Sequence, residues 1–158
     1  MINNYLQVLE ESLHKKMEVL NRIEELCIRQ EKMLRTEPVP EEEFDASIDE
    51  KGKLIEELTR LDDGFENLYN RIKEQLSGGK EKYRIQIAVL QQLITEVTDK
   101  SVSIQAKETR NKALAETFFI NRRKEIKSNR RSSRAAIDYY RNMSQSKVVA
   151  PQFMDKKK

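Results

Sequence analysis

The chain has 158 residues, 36% of them charged and 37% apolar, with no tryptophan, four glycines and three prolines. That composition suits long solvated helices, each burying one stripe, better than a thick globular core. A single cysteine excludes an internal disulfide, and no stretch approaches the roughly 20 apolar residues of a membrane span. The start, MINNYLQVLEES, lacks a basic segment followed by an apolar run, so no secretory leader is expected and the cytoplasm is the expected location. Net charge is +3, unevenly divided. Residues 1–79 hold 11 Lys/Arg against 19 Asp/Glu, a balance of −8, whereas residues 80–158 hold 19 against 8, a balance of +11. Such halves attract each other when packed side by side.

The first predicted helix covers about 2–35. Leu6, Leu13, Leu20, Cys27 and Leu34 recur every seventh residue, with Ile2, Leu9 and Ile23 filling the alternate positions and Lys16 and Gln30 as polar exceptions. This is the a/d pattern of a coiled-coil seam. Pro38 and Pro40 break the chain, and Glu41, Glu42 and Glu43 place negative charge on the next N-terminal dipole. The second helix, about 41–76, carries Phe44, Ile48, Ile55, Leu58, Phe65, Tyr69, Ile72 and Leu76 at helical spacing. Leu54, Leu61 and Leu68 widen its stripe, which predicts more than one neighbour.

Ser77-Gly78-Gly79 predicts a sharp turn. Tyr83, Ile87, Leu90, Ile94, Val97 and Ile104 open a third helix of about 81–142, free of internal proline and glycine. Its stripe thins beyond Gln105, with the polar segment KETRNK at 107–112, so a bend near 99–112 is one expectation and a projecting basic end the other. Leu114, Phe118, Phe119 and Ile120 form an apolar knot beyond it, and 144–158 read as a flexible tail. The expected fold is all-α: an antiparallel hairpin of two long helices plus a long third, resembling a three-helix bundle, in one domain over 1–143.

Catalysis finds little support. Cys27 sits on the seam as a small buried hydrophobe. Glu11 and His14 have the spacing of a di-iron Glu-x-x-His box, but there is no second histidine and the pair faces outward. Gly78-Gly79-Lys80 lacks the Ser/Thr and the preceding strand of a phosphate loop. No catalytic residue, metal or cofactor is expected. Seven of the fourteen residues from Asn121 to Arg134 are basic, which raises nucleic acid as a partner. A helix spreads these charges around its circumference, however, and no recognised nucleic-acid motif accompanies them. Phe119, Ile126, Ser133, Ala136, Ile137, Tyr140 and Met143 instead make a modest stripe edged by arginines, suited to an amphipathic partner segment with an acidic rim. Protein therefore ranks above nucleic acid as the partner.

The layout resembles the FlgN-type flagellar export chaperones. It does so in the heptad helix NNYLQVLEESLHKKMEVLNRIEELCIRQEKML, the second helix FDASIDEKGKLIEELTRLDDGFENLYNRI and the ending Tyr139-Tyr140-Arg141 with a short FMDKK tail. The resemblance implies binding to the C-terminal helical segments of hook–filament junction proteins through about 114–143, and delivery to the flagellar export gate. It also implies a gate-contacting tyrosine, for which Tyr139 and Tyr140 are the candidates. Two rivals stand beside it. One is a coiled-coil scaffold or adaptor, a homo-oligomer formed through Leu6, Leu13 and Leu20; the other is a basic helical nucleic-acid binder.

Overall fold

In the computed structural model, which describes residues 2–125, three helices follow in sequence: α1 (Ile2–Leu34), α2 (Glu41–Gly78) and α3 (Arg84–Glu125). The described residues are all-α, with no strand. The expected continuation of the third helix to 142, the domain end at 143 and the tail over 144–158 lie outside them. Across 99–112, where a break was one expectation, α3 is a single element.

Helix ends follow local chemistry. Thr36 Oγ1 donates to the Lys32 carbonyl at 2.7 Å and satisfies one of the orphan acceptors closing α1. The Pro40 carbonyl accepts from Phe44 N at 2.9 Å, so Pro40 precedes the first turn and Glu41–Glu43 occupy it. The turn after α2 delays α3 to Arg84, later than the expected 81. Gly79 N donates to Leu76 O at 3.1 Å, and Tyr83 N to Gly79 O at 3.2 Å. No glycine here has positive φ. Gly79 sits in a close approach: a Cβ there would lie 3.3 Å from Tyr83 Cε2, so that ring would have to give by a few tenths of an ångström.

Contacts group the described residues into two units, each taking a piece of every helix. The first comprises residues 2–21, 56–83 and 84–101. Its core is Leu6, Leu9, Leu13, Phe65, Ile72, Leu76, Leu90 and Ile94, with Tyr5, Tyr69 and Ile87 packed against it. Lys16, a polar exception on the α1 seam, is 3% exposed and pairs with Asp62. Burial raises the Asp62 carboxyl above its ordinary value even beside that ammonium.

The second unit comprises residues 22–55 and 102–125. Leu34, Phe44, Ile48, Ala115 and Phe119 form one cluster, and the Phe44 and Phe119 rings lie 6.1 Å apart at a 57° tilt. Gln30 donates to Ser47 Oγ at 2.7 Å, one turn from the Cys27–Lys51 approach, so α1 and α2 run antiparallel here.

One expectation is corrected. Leu6, Leu13 and Leu20, the seam offered for self-association, are 2%, 2% and 1% exposed inside the single chain. A scaffold dimer through that seam would first have to unpack the helices that already cover it.

Replacing Leu9 or Ile94, both 0% exposed, by alanine is expected to cost about 2–5 kcal/mol each in urea unfolding. The control Ile85→Ala, at a side chain 74% exposed, is expected to stay within about 0.5 kcal/mol.

Candidate partner-binding surface and the polar core beside it

Of the stripe read from the sequence, only Phe119 falls among the described residues. It is 3% exposed and packs against Phe44, Leu34 and Phe118. Phe119 is therefore a core residue here, a correction to its reading as a partner-facing one: the last turn of α1 and the first turn of α2 reach it. Ile126, Ser133, Ala136, Ile137, Tyr139, Tyr140 and Met143 lie outside the described residues.

The buried face of α3 in this unit reads Ile104, Glu108, Asn111, Ala115 and Phe119, at steps of four, three, four and four. It meets the end of what the first two helices offer. Phe119 contacts the cluster of Leu34, the final residue of α1, and Arg122 Nη2 lies 2.9 Å from a carboxylate oxygen of Glu41, the first residue of α2. Seven-residue steps from Phe119 fall on Ile126, Ser133 and Tyr140, and from Ala115 on Arg122, Asn129, Ala136 and Met143. Four of these seven positions are apolar, Ile126, Ala136, Tyr140 and Met143, and they follow in the sequence after the point where α1 stops and α2 starts. Around the knot, Leu114 and Phe118 are half-buried and Ile120 is 49% exposed.

Beside this end lies a polar core. Lys51 Nζ approaches the two Glu108 carboxylate oxygens at 2.7 and 2.6 Å, with the residues 0% and 5% exposed. Cys27 Sγ is 3.7 Å from the same ammonium. Asn111 Nδ2 donates to the Cys27 carbonyl at 2.8 Å, bracing α3 against α1. Burial pushes the Cys27 thiol up to about 12, partly offset by the Lys51 charge. A thiol held protonated is a poor nucleophile, and the ammonium is occupied by a carboxylate. The cluster therefore has the character of a structural ion pair. Among the described residues no group of three or more His, Cys, Asp or Glu is placed to hold a metal. Glu11 is exposed, and His14 lies 3.6 Å from Glu10 on the surface.

Sequence reasoning missed this core because it took 107–112 as a gap in the stripe. The signal was present: Glu108 and Asn111 continue the spacing set by Ile104, with polar atoms at apolar positions. Outside it, acidic residues of the first half pair with basic residues of α3. Glu24 meets Lys107 at 3.4 Å and Glu31 meets Arg110 at 3.2 Å. The Arg35 and Arg110 side chains hold the Glu31 carboxyl below its usual value against a raising desolvation effect.

Comparison with protein-family models, with curated proteins and with solved structures gives no match.

Lys51→Met alone strands a buried carboxylate and is expected to cost about 3–5 kcal/mol in chemical denaturation. Adding Glu108→Leu is expected to recover most of that loss or exceed wild type, since an apolar pair removes both desolvation penalties. The unfolded Cys27 thiol ionises near 9.0, whereas the folded one resists up to about 12, so the native state holds a proton that the unfolded chain releases. Its contribution is complete below pH 9 and lost as pH rises through that interval. Unfolding measured across that range should show the loss, and Cys27→Ala should flatten it.

Proposed function

We propose that the chain is an export chaperone of the FlgN type. In this reading it binds the C-terminal helical segments of hook–filament junction proteins in the cytoplasm and delivers them to the flagellar export gate. The observation that supports it is the mismatch at Phe119. α1 ends at Leu34 and α2 begins at Glu41 beside that ring, while the sequence carries further apolar residues at heptad steps, Ile126, Ala136, Tyr140 and Met143, between the polar Arg122, Asn129 and Ser133. In this reading an amphipathic segment from a client packs on those apolar residues. Phe119 belongs to the anchoring core, and the client-facing set becomes Ile126, Ser133, Ala136, Ile137, Tyr140 and Met143. Tyr139 and Tyr140 remain the gate-contact candidates.

The mechanism follows from the pattern. A client segment that is disordered alone loses conformational entropy as it folds onto the stripe, which moderates affinity and eases release at the gate. Methionine and tyrosine adapt to differing client side chains, and the basic residues around them favour an acidic client rim.

Co-elution of the full chain with those client segments tests the reading at low and high salt. A complex at both salts is expected, with the Ile137→Asp plus Tyr140→Asp variant losing about tenfold or more in affinity. No complex under either condition contradicts it. Binding that collapses with salt, and that nucleic acid competes away, points instead to the basic residues acting on phosphates.

A further inference from the structure

Ile85–Thr95 is the longest uncharged run in the chain, eleven residues in a protein that is 36% charged. At the average density it would carry about four charges. Burial explains only part of the run: Leu90 and Ile94 are core, and Ile87, Gln91 and Leu93 are half-buried. The outward positions, where a solvated helix normally places its charges, hold Ile85, Gln86, Ala88, Val89, Gln92 and Thr95. Ile85 is 74% exposed and Val89 38%. Apolar side chains in a field stripped of charge are the composition of an interface centre. Ile85, Ala88 and Val89 also wall a groove of ≈ 450 Å³ whose far side is Glu10 and His14.

We propose that this face of α3 pairs with the same face of a second copy, antiparallel about a two-fold axis at Val89. The flanking charges carry the choice. Lys80, Lys82 and Arg84 lie before the run, and Glu96 and Asp99 after it, all exposed. Glu96 stands seven residues, two helical turns, after Val89, and Lys82 seven residues before it, in the turn that leads into α3. An antiparallel pairing centred there brings Lys82 of each copy level with Glu96 of the other, twice by symmetry. A parallel pairing would set like charges side by side. A foreign helix would have to supply such a pattern, whereas this chain already carries both halves. Ala88 allows close backbone approach, and Gln92, which donates to Glu96 Oε2 at 3.1 Å, keeps that carboxylate on the same face. This contact is independent of the internal seam of Leu6, Leu13 and Leu20 and of the client reading. The face spans about three helical turns, below the standard interface size, so the dimer is a reversible one with a dissociation constant on the order of 10–100 µM.

Sedimentation velocity of the full chain from ~5 to ~500 µM brackets that constant. The average mass is expected to rise from 18.7 kDa toward twice that value. Ile85→Glu should weaken the association about tenfold or more. Lys82→Glu and Glu96→Lys should each weaken it, and the two together should restore it. All three positions are exposed, so thermal melting should confirm an unchanged fold. A mass fixed at 18.7 kDa throughout overturns the proposal and leaves the face to a foreign helix. Association indifferent to Ile85→Glu, or a charge swap that fails to restore it, overturns it as well.

Discussion

A lysine ammonium and a glutamate carboxylate share one buried site in the second unit, and its helices must be arranged so that both reach it. Lys51 comes from α2 and Glu108 from α3, with Cys27 of α1 against them. A slip of one residue in either helix would drive a charge into apolar surroundings at a cost of several kcal/mol. Buried ion pairs contribute little net stability compared with apolar replacements, so the value of this one lies in fixing register. Gln30 with Ser47 and Asn111 with the Cys27 carbonyl extend the same constraint along the unit. The first unit is held differently, by leucine, isoleucine and phenylalanine, with Lys16–Asp62 among its polar contacts.

Charge asymmetry between the halves of the chain has a structural use. Glu24, Glu31 and Glu41 of the acidic half meet Lys107, Arg110 and Arg122 of the basic half. These pairs are partly solvated and individually weak, yet their common polarity favours one arrangement of α3 on α1 and α2. They also place Arg122, the first arginine of the basic cluster, in the chain's own framework. Arg122 thus serves internal complement, whereas Arg123 beside it is exposed.

The helices were legible because heptad spacing is a strong signal: Leu6, Leu13, Leu20, Cys27 and Leu34 are all buried where the pattern placed them. Even the exceptions Lys16 and Gln30 kept the phase and are buried at 3% and 0%. The polar core was not legible, because hydropathy scores Glu108 and Asn111 as surface while their spacing marks them as interior. Lys51 gave no warning either, since its partner lies 57 residues away in sequence. Phe119 was read onto the wrong side of a boundary, because sequence shows a stripe continuing but not where the helices covering it stop. The exposed Ile85 and Val89 escaped notice among the apolar residues of their own helix.

In the proposed reading, the apolar residues up to Phe119 serve internal packing and those within 126–143 serve client binding. Hydrogen–deuterium exchange of the full chain, alone and with a junction-protein C-terminal segment, tests this most directly. The account predicts amides of 104–119 already protected in the free chain, and new protection on client addition concentrated within 126–143. Client-induced protection confined to residues outside 126–143, or none at all with the client bound, would contradict it.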